Sequence, residues 1–197
     1  QGNKSMTIPP QIRPDPQTVS FSIPCRFEDE TRETEIMFLV NGENILQFQR
    51  FGKRFTTKWN LDDAVFWLRD FAASMKHDPY PVSARGKFAA QKDICAREFD
   101  ADDAAEFDQY YDRLDQWNLR HRWHPYSNGA VMADLYFELV DDNVEISWNN
   151  LDAENDVIFL HQLGGVRIPK DQFLDAVSGF VRRYMEHWFQ SDEKTKK

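Results

Sequence analysis

The residues able to do chemistry are three of the five histidines, two cysteines and an excess of carboxylates. His121 and His124, in His121-Arg122-Trp123-His124, stand three apart, and His161 lies downstream. A metal site needs lone pairs converging at about 2 Å. Trp123 and Pro125 leave the local backbone undefined, and no Glu stands in the His-Glu-x-x-His arrangement of zinc proteases. Surface histidines are the expected outcome, with no metal and no cofactor. Cys25 and Cys95 are 70 positions apart with no Cys-x-x-Cys pair, which excludes a thiolate zinc site and a disulfide-dense scaffold. Cys95 with His121 or His124 as base is the one nucleophilic pairing on offer, and a structural thiol is the expected reading. Gly164-Gly165 stands alone, outside any phosphate-binding loop, and no Gly-x-Ser-x-Gly elbow occurs.

The carboxylates are concentrated. The 197-residue chain carries a formal charge of −9. Residues 98–166 alone hold 3 Lys and Arg against 16 Asp and Glu, and no Lys or Arg stands between Trp123 and Val166. Paired acids do catalysis when burial drives their pKa values apart. On the solvent side of an amphipathic helix they stay ionised and create a field that attracts cationic partners and repels nucleic acid and anionic membranes. Calcium is a weaker use, since Asp100, Asp102, Asp103 and Glu106 lack the glycine and spacing of an EF-hand loop. Arg50, Lys53, Arg54 and Lys58 interleave with Phe51, Phe55 and Trp59, a mixture that stacks on single strands in some proteins. The overall charge makes an ordinary amphipathic edge the expected reading here.

The elements that must position these groups follow from periodicity. Residues 1–17 contain Pro9, Pro10, Pro14 and Pro16 and are expected to be an extended, flexible arm. Gln1-Gly2 reads as a tag remnant, with Met6 as the natural start. Strands are expected over Thr18–Ile23, Glu35–Val40 and Ile45–Phe51, the last two joined by the hairpin turn Asn41-Gly42. A helix capped by Asn60 carries Leu61, Val65, Leu68, Phe71 and Met75 on one stripe and stops at His77-Asp78-Pro79. Residues 78–97 read as loop. A second helix from Asp100 to Asn118 has the stripe Phe107, Tyr110, Tyr111, Leu114 and Trp117, with Asp102, Asp103, Glu106, Asp108, Asp112 and Asp115 opposite.

Strands over Asp134–Val140 and Val144–Trp148 turn at Asp141-Asp142-Asn143. Val157–Leu160 forms another strand, and Gly164-Gly165 reads as a tight turn into Val166–Ile168. A last helix over Lys170–Gln190 has the stripe Phe173, Val177, Phe180, Val181, Tyr184 and Trp188, ahead of a charged tail at 191–197. The expected fold is α+β: one domain over residues 18–190, an antiparallel sheet of hairpins with about three helices packed on one side. No apolar run approaches the roughly 18 residues of a membrane helix, and the start is not a signal peptide, so the cytoplasm is the expected compartment.

The stretch Asp134-Leu135-Tyr136-Phe137 through Asp142-Asn143-Val144-Glu145-Ile146-Ser147-Trp148-Asn149-Asn150, followed by Phe173, Val177 and Phe180, is similar to a pattern in small bacterial proteins. In size, acidity and aromatic content the chain resembles immunity proteins of contact-dependent inhibition and other polymorphic toxin systems. The resemblance implies a non-enzymatic protein that neutralises a cognate basic toxin domain by binding it. Asp102, Asp103, Glu106, Asp108, Asp112, Asp141, Asp142 and Glu145 would steer the partner, and exposed Tyr110, Trp123 and Tyr126 would supply contact area. The alternatives are a small metal-dependent hydrolase using His121, His124 and His161, and a structural subunit of a homo-oligomer.

Overall fold

The computed structural model describes residues 19–123, 131–151 and 156–189. The expected arm at 1–17 and tail at 191–197 lie outside them. The first half runs β1 (Phe21–Ser22), β2 (Cys25–Glu28), β3 (Glu33–Ile36), β4 (Leu39–Val40), β5 (Glu43–Asn44), β6 (Phe48–Arg50), β7 (Lys53–Phe55), β8 (Lys58–Trp59) and α1 (Asp62–Ser74). Then come α2 (Ala89–Ala96), α3 (Ala104–His121), β9 (Arg122–Trp123), β10 (Leu135–Val140), β11 (Asn143–Asn149), β12 (Val157–Phe159), β13 (Leu163–Pro169) and α4 (Lys170–Trp188). The result is an α+β domain, 36% helix and 29% strand.

One four-stranded antiparallel sheet, ordered β13-β11-β10-β9, organises the molecule, flanked by three small three-stranded sheets. Its register sorts the side chains. Leu135 faces Trp148 and Phe137 faces Ile146, while Tyr136 faces Ser147 and Glu138 faces Glu145. Because strand side chains alternate, the first set shares one face and the second set the other. The first face packs on α1 and α4, with Phe137 in ring contact with Trp67, Phe71 and Phe173. The second lies under α2 and α3, where Tyr136 joins Ala89, Ala90, Ala96, Tyr110, Leu114 and Trp117 in a separate buried cluster. The helices therefore cover both faces of the sheet, not one as the sequence suggested.

The difference comes from α2, which falls where the sequence reads as loop. It is eight residues long, and no side chain of its own N-cap residue, Phe88, bonds to it. The cap comes from the sheet instead: Glu145 Oε1 accepts from Ala89 N at 2.7 Å, and Ser147 Oγ accepts from Ala90 N at 3.1 Å. A carboxylate there also matches the positive end of the helix dipole. Gly164 and Gly165 are likewise not a turn but part of β13, each making room for a ring. A Cβ on Gly164 would sit 2.7 Å from the Trp148 indole, and one on Gly165 would sit 2.6 Å from the Phe88 ring. Phe88 is thereby seated against the sheet, fixing where α2 begins.

Other expectations match closely. Asn41 and Gly42 have φ of +51° and +82°, as a two-residue hairpin turn requires. The N-cap of α1 is Leu61, not Asn60, although Asn60 Oδ1 accepts from Asp62 N just ahead of the helix. Helix α3 starts later than the expected Asp100, at Ala104, and its cap is Asp103, whose Oδ1 accepts from Ala105 N. A second tight turn at Phe51-Gly52, with φ of +51° and +73°, escaped the sequence reading because phenylalanine rarely adopts that conformation. Among the described residues no helix is long and apolar enough to cross a membrane.

The seating of Phe88 makes a prediction. Gly165→Ala should destabilise the protein by about 1–3 kcal/mol, measured as a lowered urea midpoint at unchanged slope. A neutral substitution would show that α2 does not depend on that contact.

Candidate partner-binding surface

Helix α3 separates two kinds of residue. Its inner stripe, Tyr110, Leu114, Trp117 and His121, is buried. Tyr110 stacks on Phe99 at 3.9 Å, its hydroxyl donates to Ala96 O, and Trp117 Nε1 donates to Asp78 O at 3.0 Å. The opposite stripe recurs at intervals of four, three and four residues: Asp108, Asp112, Asp115 and Leu119. Those spacings place all four on one line along the helix. All are exposed, as are Asp102, Asp103 and Glu106 around the first turn.

These carboxylates are also unneutralised. Among the described residues, none of Asp102, Asp103, Glu106, Asp108, Asp112 and Asp115 lies within 4 Å of a basic group; scattered surface acids such as Asp63, Asp171 and Glu186 are unpaired too, whereas several acids nearer the sheets are paired. Lys58 meets both Glu28 and Glu33, Arg50 meets Asp156, and Arg122 meets Asp134. Arg113, on α3 itself, donates its Nε to Gln109 O rather than to a carboxylate. Leu119, 78% exposed, ends the stripe, and Phe107, 39% exposed, flanks it. Neither was singled out as a contact residue from sequence; the signal available was Leu119 falling in register with Asp108, Asp112 and Asp115.

Several expected surface residues lie inside the protein. Glu145 is 1% exposed; beyond capping α2, its Oε2 accepts from Arg167 Nε and Nη2, both at 3.2 Å. Tyr110 is held in the core beneath α3. Trp123 is buried, stacks on Phe38 at 5.2 Å and donates Nε1 to Ala64 O. They expose too little area to contact a partner. Tyr126 and His124 lie outside the described residues. Asp141 and Asp142 are exposed but do not join the α3 stripe. The N-terminal half of α3 is tied to the end of α2 at Ala96 and Arg97, while the turn lies about 13 Å beyond Phe137 along β10.

Beneath α2 the sheet carries a buried polar layer. Asp93 accepts from the Tyr136 hydroxyl at 2.9 Å and from Arg97 Nε at 2.7 Å. Burial pushes the Tyr136 phenol up, and the nearby Asp134 and Asp93 charges add to it. Glu138 stands directly opposite Glu145, and its Oε2 is buried with no hydrogen bond. Burial raises its pKa, against Lys92 and with Glu145. These groups hold α2 to the sheet.

The histidines do not form a metal centre among the described residues, where no group of three or more His, Cys, Asp or Glu is placed to hold an ion. His121 has both nitrogens engaged, Nδ1 with Phe137 O at 2.7 Å and Nε2 with Asp78 Oδ2 at 2.9 Å. Burial raises the Asp78 carboxyl, but hydrogen bonds from His121 and Arg120 outweigh it and the pKa falls. His161 Nε2 lies 3.7 Å from Glu43, and burial holds its pKa down against the Glu43 charge. Cys25 and Cys95 are half-buried free thiols.

A carboxyl whose folded pKa is raised holds its proton more tightly in the native state. Its stabilising effect is therefore complete below the unfolded value of 4.5 and lost as pH rises through the folded pKa. Glu138→Gln should leave stability unchanged well below pH 4.5 and raise it by on the order of 1 kcal/mol at pH 7. Urea unfolding at both pH values checks this; a gain of equal size at both would contradict it.

No curated protein and no solved structure matches the chain. Residues 38–189 match a family of unknown function, and that span includes the central sheet and all four helices. The chain belongs to this family, DUF5984.

Proposed function

We propose that this protein is a binding protein that docks a basic protein domain on the outer face of α3, in the manner of a cytoplasmic immunity protein neutralising a toxin. The observation that carries the reading is the unpaired carboxylate stripe. Asp108 and Asp112, and Asp112 and Asp115, stand at spacings where like charges destabilise a helix, and Arg113 does not bridge them. A cationic partner would relieve that repulsion. Exposed carboxylates chiefly raise the association rate, while Leu119 and Phe107 supply apolar contact that slows dissociation. Glu145, Tyr110 and Trp123 have no part in this surface, and Asp141 and Asp142 contribute only to the long-range field.

The test is co-expression with the product of the gene immediately upstream, followed by association kinetics. A one-to-one complex is expected, with loss of the partner's toxicity. Asp108→Lys/Asp112→Lys/Asp115→Lys should slow association at least about tenfold at low salt and little at about 0.5 M salt. Leu119→Ala should act on dissociation instead. Absence of a complex, or a complex indifferent to the triple reversal, would contradict the reading.

A further inference from the structure

We propose that the cavity between the C-terminal ends of α1 and α3 is a binding site for a small aromatic carboxylate. It measures about 330 Å³ and is lined by the apolar Trp67, Phe71 and Met75 together with Lys76, Arg120 and His121. That is the size of a small-molecule pocket with an apolar lining and few polar groups. Trp67 lies parallel to Phe71 at 5.3 Å, and Phe71 meets the His121 ring edge-on at 6.1 Å. A flat apolar body fits such walls.

The charge of the ligand follows from which groups are already satisfied. Asp78 Oδ2 accepts from Arg120 Nε and meets His121 Nε2, both at 2.9 Å. His121 Nδ1 faces the Phe137 carbonyl. Asp70, the other carboxylate on the wall, takes Arg69 at 2.8 Å. Arg120 Nη1 donates to Gln116 O, which leaves Nη2 without a partner among the described residues. The Lys76 ammonium also has no hydrogen bond or ion pair there. Lys76 stands just past the end of α1, whose last turn carries no basic residue, and the helix end offsets only about half a charge. The unmatched donors are therefore both cationic. A carboxylate would bond to both, whereas an amine would meet only acids that already hold an arginine, Asp70 with Arg69 and Asp78 with Arg120, and a neutral ring would forgo the charged bonds. The site is separate from the acidic stripe and does not depend on the partner-binding reading.

The experiment uses three probes of one shape: 1-naphthoate, 1-naphthalenemethanol and 1-naphthylmethylamine. Each is titrated into the protein while NMR follows the Trp67 indole and His121 ring signals. Naphthoate should bind saturably with a Kd of about 1 mM or tighter, at least tenfold tighter than the alcohol, and the amine should not bind. Lys76→Gln replaces an exposed side chain with no structural partner, so the fold is kept; it should weaken naphthoate about threefold to tenfold and leave the alcohol unchanged. Arg120→Gln should weaken naphthoate further. Equal binding of amine and acid, naphthoate affinity indifferent to Lys76→Gln, or no saturable shift below about 10 mM would overturn the proposal.

Discussion

The Glu145 carboxylate joins three elements at one buried point. It takes the first free N–H of α2, it is gripped by Arg167 on the neighbouring strand β13, and it stands opposite Glu138 on β10. The first free N–H groups of a helix must find acceptors, and α2 has no side-chain cap of its own. A buried carboxylate in turn must find donors. Each need answers the other, with charge-assisted bonds that are stronger than neutral ones. With α2 fixed, Asp93 reaches Tyr136, Ala96 receives the Tyr110 hydroxyl, and α3 is laid down along the second face of the sheet. The position of the exposed acidic stripe is thus inherited from a buried acid.

The acids from α2 to the central sheet divide by this criterion. Asp93, Asp134, Glu138 and Glu145 work inside the fold, and all but Glu138 are fully engaged. Asp108, Asp112 and Asp115 stand in solvent without cationic neighbours among the described residues. Asp93, Asp134 and Glu145 carry their own counter-charges, whereas acids that serve a partner leave theirs to be supplied from outside. The His121–Asp78–Arg120 trio belongs to the first kind by its bonds, yet Arg120, which lines a cavity with aromatic walls, keeps one guanidinium nitrogen without a partner among the described residues.

Much of the fold was legible because periodicity is local. The stripes of α1, α3 and α4, the β10–β11 hairpin and the Asn41-Gly42 turn are each encoded within a few residues. What was not legible depends on distant partners. The cap of α2 lies 56 residues along the chain at Glu145, so residues 89–96 show no start signal of their own. The same separation explains why Glu145 read as solvent-facing: alternation places it off the apolar face, and only α2 covers that side. Gly164-Gly165 read as a turn because the rings of Trp148 and Phe88 that demand glycine are remote in sequence. Tyr110 and Trp123 were assigned to the surface on residue type alone, where helix phase and pairing with β10 place them inside.

The central claim, that the buried acids hold the fold while the α3 stripe is kept for a partner, is tested most directly by comparing the stability of two variants. Equilibrium urea unfolding of Glu145→Ala should show a loss of about 3 kcal/mol, the magnitude for breaking a buried charged pair. Asp108→Asn/Asp112→Asn/Asp115→Asn should keep or raise stability by about 0.5 kcal/mol as like charges are removed. A triple variant that loses as much as Glu145→Ala would mean that the stripe holds the fold together, and the account would be wrong.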